Sequence, residues 1–156
     1  MSVLGVRCAG DRAFLAVVEE PGKVSANTHA RLILPSALQR PEALQEFIEQ
    51  LAGEIRATAV DRVALVHPTY GRRPQPYGPR DLRAAFERGG MHVLVEMAAG
   101  KAGVPVELTT SQRIRGRLRP ANGVDLDDLA GSMFGANPPY WADRKLAALA
   151  AEAVSR

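Results

Sequence analysis

The sequence has a single cysteine, Cys8, among 156 residues. A lone thiol forms no internal disulfide and leaves no CxxC framework for zinc. That usage suits a reducing compartment, and a cytoplasmic location is the expectation. No stretch approaches the roughly 20 apolar residues of a membrane span. The N-terminus lacks the basic region and long apolar core of a signal peptide, so none is expected. No repeat, low-complexity segment or linker divides the chain, and residues 1–156 read as one domain. Lysine is also scarce: of 20 basic residues, only Lys23, Lys101 and Lys145 are lysines. An arginine-rich surface can reflect compositional bias, so bulk basicity says less than its distribution.

What is present is an ordinary globular balance, 46% hydrophobic and 24% charged, with net charge +3. The charge is uneven. From His67 to Arg119 there are ten Lys/Arg against four Asp/Glu, so that third carries +6 and the remainder −3. Such asymmetry suits a polyanionic partner, DNA or RNA.

The chain opens with two apolar runs, Val3–Arg7 and Ala13–Val18, around a Gly10-Asp11 turn. They read as a hairpin buried on both faces. Val24–Leu34 has period-2 character and reads as a third strand, antiparallel to the second. Ser36–Thr58 has helical spacing with glutamates between its apolar residues. Val60–Val66 is a fourth, apolar strand; reached across a helix, it is expected to run parallel to the first. His67–Arg80 holds four prolines, two glycines, two tyrosines and three arginines, and cannot be a regular helix or central strand. Asp81–Gly100 is a second helix, with Leu82, Phe86, Val93, Leu94 and Met97 apolar and a weak point at Gly89-Gly90. Val104–Leu108 is a short fifth strand, and Pro105 suggests the sheet edge. Gln112–Leu118, Asp125–Met133 and Tyr140–Arg156 read as the remaining helices.

Three meander strands, helix, strand, helix, strand and terminal helix is the element order of an RNase H-like fold. Val3-Leu4-Gly5-Val6 before a Gly-containing turn resembles the opening of its RuvC-like branch. Leu94 to Val106, with Gly100 and Gly103, resembles that branch's long helix, tight turn and fifth strand. Thr110-Ser111-Gln112 resembles the start of its next helix. The resemblance implies an α/β fold: a mixed five-stranded sheet, three antiparallel meander strands plus two parallel ones, flanked by helices.

The resemblance also implies acids at three places: the end of strand one, the end of strand four and the start of the last helix. There, carboxylates would hold two Mg²⁺ ions about 4 Å apart for phosphodiester hydrolysis. This sequence departs at two of them. Strand one ends in Arg7, and strand four ends Leu65-Val66-His67. Only Asp143 remains. A guanidinium repels a cation, so the expected site is degenerate, without a metal.

Arg7 either binds an anion or pairs with Asp143. His67 is a general base, a metal ligand, a phosphate donor, or a packing or hydrogen-bonding residue. Tyr70 and Tyr77 offer stacking surfaces, while Arg72, Arg73 and Arg80 offer phosphate contacts. Arg113, Arg115, Arg117 and Arg119 concentrate charge but do not share one helical face. His29 and His92 make no ligand spacing with His67. Asp125, Asp127 and Asp128 read as helix-start acids rather than a calcium loop.

The leading expectation is a non-catalytic RuvC-like protein whose basic cleft, through Arg7, His67, Tyr70, Arg72, Arg73, Arg113, Arg115 and Arg117, binds nucleic acid or a protein partner. One alternative is a Mg²⁺-dependent nuclease with a rearranged site using Asp143, with Glu96 or Asp11. Another is a structural or protein-interaction module.

Overall fold

The structure, a computed structural model, describes residues 1–26, 28–34, 41–67, 79–135 and 139–156; over 79–88 it describes the backbone alone. Chain order is β1 (Val3–Ala9), β2 (Arg12–Glu20), β3 (Lys23–Val24), β4 (Arg31–Ile33), α1 (Pro41–Ala57), β5 (Arg62–Val66), α2 (Pro79–Ala102), β6 (Val106–Thr109), α3 (Ser111–Leu118), α4 (Leu126–Phe134) and α5 (Trp141–Ser155). The sheet order is β3-β2-β1-β5-β6, with β4 also pairing β2. β1 and β2 are antiparallel, whereas β1–β5 and β5–β6 are parallel. This is the expected mixed sheet, flanked by helices, with the Pro105 strand at its edge.

Strand alternation sends side chains to two cores. Leu4, Val6, Leu15, Val17, Val63 and Leu65 face the α1–α2 layer. Val3, Ala16, Val18, Ala64 and Val66 face α5 and its neighbours. That double burial explains why the strands are near-continuous apolar runs. α1 buries Phe47, Ile48, Leu51, Ala52 and Ile55, one helical stripe. α2 runs unbroken through Gly89-Gly90 and buries Met91, Leu94, Val95, Ala98 and Ala99, leaving Val93 and Met97 exposed.

α5 sits close on β1. A Cβ on Gly5 would lie 1.8 Å from the Ala147 carbonyl oxygen, so only glycine admits this approach. The alanines at 147, 148, 150 and 151, all fully buried, keep the helix face thin.

The expected third strand is split. Its two halves, β3 and β4, pair with opposite ends of β2. Between them, Ser25 N donates to Val17 O at 2.8 Å and Leu15 N donates to Ala30 O at 2.9 Å. In a strand, one residue's N–H and C=O point to the same side, so the Leu15 carbonyl also faces the break. Its donor is Arg144 Nε of α5, at 2.6 Å. The guanidinium thus stands where a continuous strand would present a backbone N–H. A buried carbonyl must be satisfied, and here a side chain does it.

Candidate nucleic-acid interface

The sheet register fixes the site. Arg7 pairs with Phe14 on one side and Val66 on the other; Phe14 pairs with Arg31, and Val66 with Thr109. The row Arg31, Phe14, Arg7, Val66, Thr109 therefore crosses the sheet at the carboxyl ends of β1 and β5. Cross-strand partners project to the same face, here the α5 face.

On that face Arg7 Nη1 lies 3.3 Å from Asp143 Oδ1 and 3.2 Å from the Asp143 carbonyl oxygen. The guanidinium holds the start of α5 by two acceptors of one residue. The Arg7 side chain is 33% exposed and the Asp143 side chain 49%, so the pair sits at an open rim. One turn earlier, Tyr140 caps α5 at φ 57, in the left-handed region. Its ring lies beneath Arg31, with the guanidinium carbon 4.2 Å from the centroid. A non-glycine residue in that backbone region is unusual and often marks a functional corner.

On the other flank, His67 N donates to Thr109 O at 2.7 Å, continuing the β5–β6 ladder. The His67 and His92 rings meet edge to face, centroids 5.6 Å apart. His92 is buried on α2, so the structure joins two histidines that the sequence keeps apart. His29 lies elsewhere, its Nδ1 2.7 Å from Glu54 Oε2.

The arginines of α3 diverge. Arg113 Nη1 donates to Leu108 O at 2.9 Å, near the row just described. Arg115 Nη1 donates to Val124 O at 2.8 Å. Arg117 Nη2 pairs with Glu107 at 2.6 Å, and Glu107 also pairs with Arg62 at 3.0 Å. Arg62 begins β5, about 13 Å along the strand from Val66 at ordinary strand rise. Arg117 therefore lies toward the opposite end of the sheet from Arg7. Tyr70, Tyr77, Arg72 and Arg73 lie outside the described residues, as does the Arg80 side chain.

Asp143 is the one carboxylate at the three positions where the resemblance puts acids, and a guanidinium engages it. Among the described residues, no group of three or more His, Cys, Asp or Glu is placed to hold a metal ion. These donors do not fit a pair of Mg²⁺ ions. Glu96 is exposed on α2, and Asp11 pairs with Arg12 at 3.5 Å. Asp125 is the N-cap of α4, accepting from Asp128 N at 2.7 Å, which accounts for the Asp125–Asp128 acids.

Comparison with solved structures finds Thermus thermophilus RuvC, with a TM-score of 0.68 at 20% identity, covering 100% of this chain and 96% of that one. The fold is that of RuvC. A second RuvC structure from the same organism, in complex with a Holliday junction substrate, matches with a TM-score of 0.66 at 19% identity, over 100% of this chain and 95% of that one. No protein-family model matches the sequence, and no curated protein matches it. Among the described residues no helix is long and apolar enough to cross a membrane.

Arg31 and Tyr140 were not evident as site residues from the sequence. Their meeting depends on the β2–β4 register and on the corner before α5. The one local signal was Tyr140 beside Trp141, just after Pro138-Pro139.

Proposed function

We propose that this chain is a non-catalytic RuvC-like protein that binds nucleic acid at the carboxyl ends of β1 and β5. One observation carries the reading: the Arg7–Asp143 pair occupies the place where this fold's nucleases would need converging carboxylates. The exchange replaces a cation site by a half-exposed ion pair, whose guanidinium a phosphate would have to share with Asp143. Arg7, Arg31 and Arg113 supply the basic face, and Tyr140 supplies an exposed ring suited to stacking; His67, at the end of β5, turns to the α2 side against His92. Tyr70, Arg72 and Arg73 join the proposal by their place in the sequence directly after β5. Arg115 and Arg117 contribute charge further round the molecule. The junction-bound RuvC makes a branched duplex the natural first probe.

The test is a fluorescence-anisotropy titration of single-stranded, duplex and four-way-junction DNA, and matching RNA, at two salt concentrations in EDTA. Binding that weakens steeply with salt is expected. A Mg²⁺- or Mn²⁺-dependent cleavage assay runs alongside. Absence of binding to every probe at low salt, or cleavage abolished by Asp143→Ala, overturns the proposal.

A further inference from the structure

A second group of arginines gathers at the amino end of β5, away from the Arg7 row. Arg62 opens β5, and Ala64, two residues on, pairs with Glu107 of β6. Ala64 belongs to the core under α5, so by strand alternation and register Arg62 and Glu107 project to that same face. There Glu107 meets two guanidinium groups. Arg62 Nη1 donates to its Oε2 at 3.0 Å, and Arg117 Nη2, from α3, stands 2.6 Å from its Oε1. One carboxylate thus holds two cations side by side. Their side chains are 41% and 40% exposed, so solutes reach both. Arg119 lines the same cavity, of about 460 Å³, with Val154 and Arg156. Arg119 is exposed, and among the described residues its side chain makes no hydrogen bond or ion pair. Its backbone, at φ 48, takes the left-handed conformation that ends α3, a place glycine usually fills. A strained position is spent on an unpaired guanidinium at the cavity edge. Arg156 adds nothing to the balance, because Glu152 takes its charge. Arg62, Arg117 and Arg119 then face the single carboxylate of Glu107, and the cavity is cationic.

We propose that this cavity is a second anion site and that it takes a phosphate group. A guanidinium carries five N–H donors in a planar fork. Arg62 gives one to Glu107, while Arg117 serves Glu107 and, through Nη1, the Ala153 carbonyl at 3.2 Å. Arg119 keeps all of its donors. A carboxylate has too few oxygens to use what remains. A phosphate has more oxygens and a second charge, and guanidinium forks match its geometry. The volume exceeds that of one phosphate, so a pyrophosphate or a phosphate ester also fits. The site does not depend on the nucleic-acid reading of the Arg7–Asp143 rim.

Pyrophosphate is the probe, with inorganic phosphate as its smaller form and acetate as the carboxylate control. All are titrated into the full chain at one ionic strength, by calorimetry and amide NMR. Pyrophosphate is expected to saturate at millimolar concentration or below and to bind at least about tenfold more tightly than acetate. Shifts should centre on Arg62, Glu107 and Gly116–Arg119. Arg119→Gly removes the guanidinium and suits the left-handed backbone, so it should unfold at no lower urea concentration. It should weaken pyrophosphate by about threefold to tenfold, the value of one exposed charge-assisted contact. The same variant, titrated with the four-way DNA junction, identifies the source of the phosphate. A parallel loss assigns the site to nucleic-acid phosphate; unchanged junction binding assigns it to a small phosphorylated molecule. No saturable pyrophosphate binding at millimolar concentration, equal binding of acetate, shifts centred on the Arg7–Asp143 rim, or unchanged pyrophosphate affinity in Arg119→Gly overturns the proposal.

Discussion

Two arginines meet the first turns of α5 in opposite ways. Arg7 reaches from the sheet to the helix, at an open rim, and finds a carboxylate. Arg144 reaches from the helix to the sheet, is buried, and finds only carbonyls among its described partners. The residues they involve on α5, Asp143 and Arg144, are consecutive. The first arrangement is cheap to make and to break, because water screens a half-exposed pair. The second costs desolvation and is held only because the surrounding fold over-determines it. The difference separates a surface available to a polyanion from a structural strut that replaces a missing piece of strand.

Removing what both regions share is the harshest way to break this comparison. Gly5→Val puts a side chain onto the Ala147 carbonyl, forcing α5 off β1. The expected loss is about 3 kcal/mol or more in urea unfolding, with both arginine contacts disturbed together. Arg144→Met leaves the Leu15 and Pro139 carbonyls without these donors and should cost about 2–3 kcal/mol, measured the same way. Arg7→Ala should cost under about 1 kcal/mol of stability, because the pair is partly exposed, yet weaken nucleic-acid binding in anisotropy. Equal destabilisation by Arg7→Ala and Arg144→Met would erase the contrast.

A third ion pair calibrates the other two. Lys101 of α2 donates to Glu49 of α1 at the surface, and this ammonium holds the Glu49 carboxyl below its ordinary range. The folded value lies below the unfolded one, so the stabilisation is full above the ordinary glutamate range and is lost as pH falls through the folded value. Lys101→Met should therefore flatten the acid limb of a stability–pH curve, by losing a small contribution near neutrality and changing little at acid pH. Cys8 gives an independent readout of opening. Burial pushes its thiol up to about 12, so it should react with a thiol reagent at pH 8 only when the sheet unfolds.

Much of the architecture was legible because it rests on local pattern. The Val3–Val18 hairpin, the β5 run and the helix starts at Thr110 and Asp125 carry their own signals. The juxtaposition of Arg7, Val66 and Asp143 was legible only through the resemblance of the element order, since nothing local links residues 7 and 143. The split third strand was not legible. Val24–Leu34 alternates well enough to read as one strand, and the break is visible only in where the Leu15 carbonyl finds its donor. Arg144 and Glu152 lie on the buried face of α5 with Trp141, Ala148 and Ala151, and a charge on an apolar stripe was the overlooked sign. Glu152 makes the same point: fully buried, it accepts from Gly22 N at 3.0 Å. Both charges reach toward the irregular third-strand edge, a pairing that only tertiary register reveals.

The central claim is that an arginine stands where the fold's metal chemistry would need acids, and that it serves an anion. The most direct measurement is the binding isotherm of a fluorescent four-way DNA junction in EDTA, for the wild type and Arg7→Asp, at two salt concentrations. The account predicts metal-independent, salt-sensitive binding that Arg7→Asp weakens at least about tenfold, a loss of about 1.4 kcal/mol or more. Binding that appears only on adding Mg²⁺, or that Arg7→Asp leaves unchanged, would contradict it.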